Sequence, residues 1–494
     1  MRAVNLHAYR ADQVRALEQS VMAVEGPDVL MQRAAAGLAR SALDLLRRTR
    51  GSVYGARVVV LAGTGNNAGD ALHAGARLAR RGVRVTAVLA LGRTHEAGLA
   101  ALLAAGGMLR SADQAGLVDL GTVSRPPVDL FVDGILGIGG RAGLTGPLEG
   151  LVAVTGRWSI PVLAVDLPSG VDTDTGAVPG PAIRATRTVT FGVLKPCHLV
   201  EPARSRCGEL ELVDIGLEDA DPDELPALRG CSYDDLAQAW PYPAADGDKY
   251  ARGVVGVDTG SDTYPGAAVM STYGAVYAGA GMVRFLGSDR PAQIIGAQLP
   301  SVVFSPGRVQ AHLFGSGWGD NAAGGDTLLR AADEGLPAVV DADGLRYLPD
   351  HCPDSWLLTP HAGELARLLD VPRGEVEADP LRAVRAGAEQ IGATVLLKGA
   401  TQLVATPGRD LVLVARPGPS WTAQAGSGDV LGGVCAALLA AGVRPQLAGQ
   451  LGASVQATAA EAHPGAIPPQ ELARAIGALL GDLQRRRDQL VLHR

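Results

Sequence analysis

Gln424-Ala425-Gly426-Ser427-Gly428-Asp429 sets two glycines and a serine before an aspartate, and an apolar helix pattern, Val430 to Ala441, follows at once. Bare backbone amides at a helix start suit an anion. A carboxylate among them would repel phosphate unless it has work of its own. The natural work is taking a hydroxyl proton while a phosphoryl group arrives. On these letters alone Asp429 reads equally well as a helix cap.

A second set lies in the first half. Gly63-Thr64-Gly65-Asn66-Asn67-Ala68-Gly69-Asp70 follows a strand pattern and opens a helix, the place where doubly wound sheets bind ligands. Its glycine spacing is not the dinucleotide fingerprint. The asparagine pair and Asp70 supply hard oxygens, which suit a cation or a ribose. Asp133-Gly134-Ile135-Leu136-Gly137-Ile138-Gly139-Gly140 and Asp166-Leu167-Pro168-Ser169-Gly170 end two further strands. One strand-end aspartate would be an ordinary turn carboxylate. Three strand ends with Asp or Asn and a glycine turn read better as a site.

The second half repeats the logic with other residues. Gly260 to Ala268 leads into a small-residue helix, and Asp341-Ala342-Asp343-Gly344-Leu345 ends a strand. Thr359-Pro360-His361-Ala362-Gly363-Glu364 and Lys398-Gly399-Ala400-Thr401 end two more. His361, between proline and glycine at a strand end, reads as a ligand contact. Glu364 suits either the helix dipole or a water-bridged magnesium shell.

Strands alternating with helices must position these groups, which gives an α/β architecture. Strands are expected at 57–61, 83–89, 130–133, 162–166, 189–191 and 210–214, with helices at 11–22, 29–48 and 69–81. The acidic, proline-containing run Glu218 to Pro226 is the expected join. Beyond it, strands are expected at 253–257, 282–286, 338–341, 356–359, 395–398 and 411–414.

At 494 residues the chain exceeds one core. Only 4% is aromatic and the net charge is −7, so stacking platforms and polyanion patches are absent and nucleic acid is not an expected partner. The short runs Arg47 to Arg50 and Arg485 to Arg487 are expected at helix ends. Five scattered cysteines form no Cys-x-x-Cys, which argues against zinc and a disulfide framework. No apolar run reaches a membrane span and no signal peptide is legible, so a soluble cytoplasmic protein is expected.

Gly65 to Asp70, Asp133 to Gly139, Asp166-Leu167-Pro168-Ser169-Gly170-Val171-Asp172 and Thr188 to Pro196 together resemble the NAD(P)H-hydrate epimerases, across residues 1–217. The resemblance implies a Rossmann-like three-layer α/β/α domain that interconverts the R and S hydrates of NADH and NADPH with a potassium ion in the site. It implies that Asn67, Asp133 and Ser169 hold potassium. It further implies that Asn66, Asn67, Ala68, Gly69, Asp70, Gly137, Ile138, Gly139, Gly140, Arg141, Ala142, Gly143 and Asp166 bind the hydrate, with Asp166 moving the proton. Ala68 and Ala71 stand where the family has glycine, and a Cβ at 68 requires a negative φ.

Thr359 to Glu364, Leu397 to Ala400 and Gly426 to Leu431 resemble the ADP- or ATP-dependent NAD(P)H-hydrate dehydratases of the ribokinase-like superfamily, over residues 230–494, after a linker at 218–229. The resemblance implies that Ala267, Gly317, His361 and Asp429 contact the hydrated dinucleotide. Lys398, Gly399, Ala400, Thr401, Gln402 and Gly428 contact the nucleotide, which is ADP with magnesium by analogy with bacterial fusions. Asp429 is then expected to be a base with a pKa lowered by the helix start. A departure is Gly317-Trp318-Gly319, where Trp318 adds bulk. A homo-oligomer is expected. The competing reading is a vitamin or sugar kinase fused to a dinucleotide-sensing module, which would leave a stable phosphorylated product.

Overall fold

The computed structural model describes residues 6–26, 28–110, 128–157, 159–217, 225–244, 246–463 and 465–492. These form two compact units, one of His7–Ala227 and one of Leu228 onward joined by Leu6. Most of the expected join, residues 218–224, lies outside the described residues.

The first unit is built on seven parallel strands. Arg57–Ala62 sits inside the sheet; the chain steps from it to Arg84–Leu89 and Met108–Arg110 on one side. It then crosses to Leu130–Gly134, Val162–Val165, Arg187–Phe191 and Glu209–Val213 on the other. Val58 to Ala62 are all buried, as a strand with helices on both faces requires. The reversal of direction falls between Arg57–Ala62 and Leu130–Gly134, so the loops at 63–70 and 133–143 flank the crevice this Rossmann-like sheet opens at its carboxyl edge.

Two boundaries differ from the sequence expectation. The helix expected from residue 69 begins at Asn66 and runs to Ala79, because Gly65 ends the loop in extended conformation and the asparagines wind into the first turn. Ala68 is helical and fully buried, so its Cβ is accommodated. The strand expected to reach residue 166 stops at Val165, because Asp166 takes φ +65°. A non-glycine residue there costs on the order of 1 kcal/mol or more and is held by its surroundings.

In the second unit, strands Met282–Phe285, Val254–Asp258, Ala311–Phe314, Ala338–Val340, Trp356–Leu358 and Thr394–Leu397 lie side by side and parallel. Leu403–Ala405 continues the sheet antiparallel to Thr394–Leu397, followed by Val412–Val414 and Leu228–Gly230. Ala311–Phe314 and Leu403–Ala405 are strands that the sequence reading does not include. The switch in direction falls between Val254–Asp258 and Ala311–Phe314.

Helix Ser427–Ala440 packs on helix Pro265–Tyr277 at backbone distance. A Cβ at Gly274 would stand 2.1 Å from the Val430 carbonyl oxygen, and one at Gly433 would stand 2.1 Å from that of Ser271. The two glycines thus allow the helix bearing Asp429 to seat against the one bearing Ala267.

Arg485 to Arg487 lie inside helix Pro469–Leu492 rather than at its end, since that helix continues through an apolar Leu-Val-Leu run. There Arg486 pairs with Asp234 at 2.7 Å. All five cysteines are reduced and buried. Burial pushes the Cys231 and Cys352 thiols up to about 11 and Cys207 to about 12, and raises Cys197 and Cys435 as well. No helix among the described residues is long and apolar enough to cross a membrane.

Candidate active sites

In the first unit, the expected cation ligands converge on one peptide. Asp133 is fully buried; its Oδ1 accepts from Ser169 Oγ at 2.6 Å and its Oδ2 from Ser169 N at 2.8 Å. Ser169 Oγ accepts from Leu136 N at 2.9 Å, while Asn67 Nδ2 donates to Leu136 O at 2.9 Å and Val165 O at 3.0 Å. Burial lifts the Asp133 carboxyl to about 6, against neutral donors alone. Gly137 lies against Asn67, since a Cβ there would stand 3.1 Å from Asn67 Oδ1. The loop through Ile138, Gly139, Gly140, Arg141 and Ala142 is pinned at its far end by Gly143 N donating to Gly170 O at 2.8 Å.

Asp166 anchors a charged cluster. Its Oδ1 accepts from Lys195 Nζ at 2.6 Å and Thr190 Oγ1 at 2.9 Å, and Lys195 is 1% exposed. Lys195 also reaches Thr190 Oγ1 and the Phe191 carbonyl. Burial would raise the Asp166 carboxyl, but the Lys195 ammonium outweighs it and holds the group below the usual carboxylate range. His198 accepts from Lys195 N on Nδ1, so its Nε2–H donates to the Asp166 carbonyl at 2.9 Å. Burial and the neighbouring ammonium depress its pKa to about 4, so it is neutral.

Asp70 is 9% exposed, and burial, then the charges of Asp166 and Glu18, push it well above the usual carboxylate range. Asn66 is exposed at the rim, Asn67 half-buried. The sequence reading assigned no role to Lys195, Thr190, His198 or Glu18. Lys195 stood in the quoted Thr188 to Pro196 stretch; Glu18 gave no signal, because a charge on an amphipathic helix reads as a solvated face.

In the second unit, a cleft of about 1210 Å³ opens at the switch point. Ala267, Gly317 and Asp429 all line it, together with Asp258, Tyr264, Trp318, Asp343 and Arg346. Gly317 has φ +69°, and a Cβ there would stand 2.6 Å from the Ala267 Cβ, so these two cleft residues lie side by side. Trp318 does not obstruct the cleft: it is 5% exposed, with Nε1 donating to the Asp258 carbonyl at 3.0 Å and to Asp258 Oδ1 at 3.1 Å.

Asp429 lies in the first turn of its helix, behind Gly426 at φ +92°. The expectation that the helix start depresses its pKa is overturned. Burial first, and then the Asp341 charge, raise it to about 6, against a Ser316 hydrogen bond and Lys398. Desolvation of a carboxylate outweighs the partial charge of one helix end. At neutral pH the group is still mostly ionised.

Lys398 Nζ donates to Asp341 Oδ1 at 2.6 Å and stands beside Gly428, whose Cβ, if present, would be 3.4 Å away. Burial lowers the ammonium's pKa, but Asp341 and Glu364 more than restore it, so the net shift is upward. Gly399, Ala400, Thr401 and Gln402 form the turn into Leu403–Ala405, with Gly399 and Ala400 exposed. His361 bridges to Lys398 through the backbone, but its ring caps helix Ala362–Leu369. Nδ1 accepts from Gly363 N and Glu364 N, and Glu364 Oε2 accepts from His361 N at 2.8 Å. Glu364 therefore serves the cap; His361 and residues 398–402 stand outside the lining of the described cleft.

In the second unit, a glycine-led helix start, an aspartate in its first turn and a paired lysine gather at the carboxyl edge of an α/β sheet, an arrangement suited to handling a phosphoryl group. A Rossmann-like unit with its own buried acid–lysine pair precedes it. The NAD(P)H-hydrate dehydratase family model matches residues 255–476, and the model of the YjeF-related protein N-terminus matches residues 27–197. The chain is 45% identical over 450 residues to the bifunctional NAD(P)H-hydrate repair enzyme Nnr of Mycobacterium tuberculosis, covering 88% of this chain and 90% of that one. It is 42% identical over 480 residues to the Mycobacterium leprae enzyme of the same name, covering 94% and 96%. An ADP/ATP-dependent NAD(P)H-hydrate dehydratase from Bacillus subtilis, co-crystallised with ATP/Mg2+, is 23% identical over 51% of this chain and 97% of its own, with a TM-score of 0.48. The chain belongs to the family of bifunctional NAD(P)H-hydrate repair enzymes, with an epimerase part followed by a dehydratase part.

Proposed function

We propose that residues 1–217 interconvert the R and S hydrates of NADH and NADPH, and that residues 230–494, beyond a join at 218–229, return the S hydrate to the reduced cofactor at the expense of ADP. The observation that carries the second half is Asp429 at the head of a glycine-led helix, on a cleft wall, with the Lys398–Asp341 pair beside the preceding Gly428.

Hydration adds a hydroxyl to the carbon beside the ring nitrogen, and hydroxide is a poor leaving group. The hydroxyl oxygen attacks the terminal phosphorus of ADP; the new O–P bond forms as the bond to AMP breaks, and the hydroxyl proton passes to Asp429. The amides of Gly426, Ser427 and Gly428 and the Lys398 ammonium stabilise charge on the transferring group. Phosphate then leaves with the C–O electron pair, the adjacent carbon loses a proton, and the ring double bond returns. In the first unit, Asp166, ionised and held by Lys195, moves the proton of the hydrate.

The donor set around Asp133 fits potassium: hard oxygens, and a buried carboxylate balanced among the described residues by neutral donors alone. Asn67, Asp133 and Ser169 would hold the ion, which would neutralise that carboxylate and orient the hydrate. Magnesium would enter with the nucleotide and neutralise its phosphates. We place the protein, as a homo-oligomer, in the aqueous cytoplasm, where its substrates form.

The test supplies purified hydrate epimers and each nucleotide in turn, and follows reduced-nicotinamide absorbance and free phosphate. Recovery of absorbance with one phosphate released per turnover supports the reading. A stable phosphorylated hydrate in place of free phosphate would sink it.

A further inference from the structure

Asp341 leaves strand Ala338–Val340 in the middle of the second sheet and is 1% exposed. Its Oδ1 accepts from Lys398 Nζ at 2.6 Å and from Thr359 Oγ1 at 2.9 Å; its Oδ2 accepts from Ser316 Oγ at 3.1 Å. The donors come from three other loops, those following Ala311–Phe314, Trp356–Leu358 and Thr394–Leu397. Ala342, next along, is held at φ +52°, a conformation that surroundings must enforce. Asp341 is absent from the lining of the described cleft, yet its carboxylate fixes where the Lys398 ammonium rests.

Lysine has a four-carbon stem, and three carboxylates act on this ammonium: Asp341, Glu364 and Asp429. If Lys398 closed on Asp429, the base would be neutralised and the phosphoryl group would lose its cation. Resting on Asp341, the ammonium stays beside Gly428 and leaves Asp429 free. Ser316, whose hydroxyl donates to Asp341 Oδ2, also lies close enough to Asp429 to lower its pKa.

We propose that Asp341 is a positioning residue for phosphoryl transfer: it holds the Lys398 ammonium at the Gly426–Gly428 turn, where negative charge gathers, and keeps it off the base Asp429. The proposal rests on the dehydration reading above and adds a residue to it. The reaction step is unchanged: the hydroxyl proton goes to Asp429, the O–P bond forms and the bond to AMP breaks. Asp341 neither gains nor loses a proton.

The test is Asp341→Asn in the full chain, assayed with S hydrate, ADP and magnesium across pH. The expected result is a fall in kcat of about 100-fold, as for loss of one oriented transition-state donor, with KM for the hydrate nearly unchanged. The acid limb of kcat should also move to lower pH, because Asp341 no longer raises Asp429 and Lys398 is free to reach it. A purely structural role would lower thermal stability but leave kcat of the folded protein near wild type, since loss of the Asp341 charge alone is enough to move the limb. Exchange of R and S hydrates by the same preparation reports on the integrity of the first unit. Near wild-type kcat, or a limb that stays put, overturns the proposal. Should Asp341→Asn fail to fold, Thr359→Val loosens the same carboxylate without changing any charge. It should cut kcat about fivefold, in keeping with one lost hydrogen bond, and unchanged kcat again overturns the proposal. Wild-type protein that fails to convert the hydrate would refute the dehydration reading instead.

Discussion

Asp166 accepts a 2.6 Å hydrogen bond from Lys195 Nζ while its own backbone is held at φ +65°. The left-handed turn aims the carboxylate back under the sheet edge, where a fully buried ammonium meets it. Removing the lysine would strand a buried charge, a loss of roughly 3–5 kcal/mol. We therefore expect Lys195→Met to destabilise the first unit by several denaturant-measurable kcal/mol and to abolish R/S exchange. Asp166→Ala should abolish exchange as well, while nucleotide-dependent dehydration of the S hydrate continues. Loss of dehydration in folded Asp166→Ala protein would contradict this division of labour.

Asp429→Ala should do the reverse: no nucleotide-dependent recovery of absorbance, with exchange intact. For the wild type, a base whose pKa lies at about 6 must be ionised to act, so kcat of dehydration should fall as pH drops through about 6 and level off above it. A limb near the ordinary aspartate value of about 4 would show that substrate binding does not preserve the desolvated state.

The cation site gives a test with a readout besides turnover. Replacing potassium by tetramethylammonium should lower the melting temperature of the wild type and slow exchange. Asn67→Ala should remove most of the difference between the two salts. Equal melting in both salts would argue that Asp133 carries its charge unaided.

The helix crossing at Gly274 and Gly433 is tested by Gly433→Ala. Its Cβ would press to within 2.1 Å of the Ser271 carbonyl oxygen, so the helices must part. We expect a loss of about 1–3 kcal/mol, typical of overpacking, and dehydration reduced far more than exchange. Near wild-type dehydration would mean that the helix carrying Asp429 can shift without cost to the site.

Much of this was legible in the sequence because the chemistry sits at strand ends, and strand ends announce themselves through glycine, aspartate and asparagine after apolar runs. The loops that bear Asn67, Asp133, Asp166 and Asp429 were readable in that way, whereas Ala267 and Gly317 entered only through the family resemblance. What could not be read was pairing across the sheet. Nothing local couples Lys195 to Asp166, 29 residues apart, or Lys398 to Asp341, 57 apart. The sequence-level pKa argument for Asp429 failed for a related reason: helix position is local, whereas burial is tertiary. His361 reads as a ligand contact from its strand-end setting, and the capping box that its Nδ1 forms with the helix start and Glu364 three residues on is a second role that the sequence did not announce.

Every thiol in the chain is buried, and burial raises its pKa. Little of the reactive thiolate is then present at neutral pH. Peroxide and alkylating reagents have almost nothing to attack, so the enzyme should keep both activities in air without added reductant.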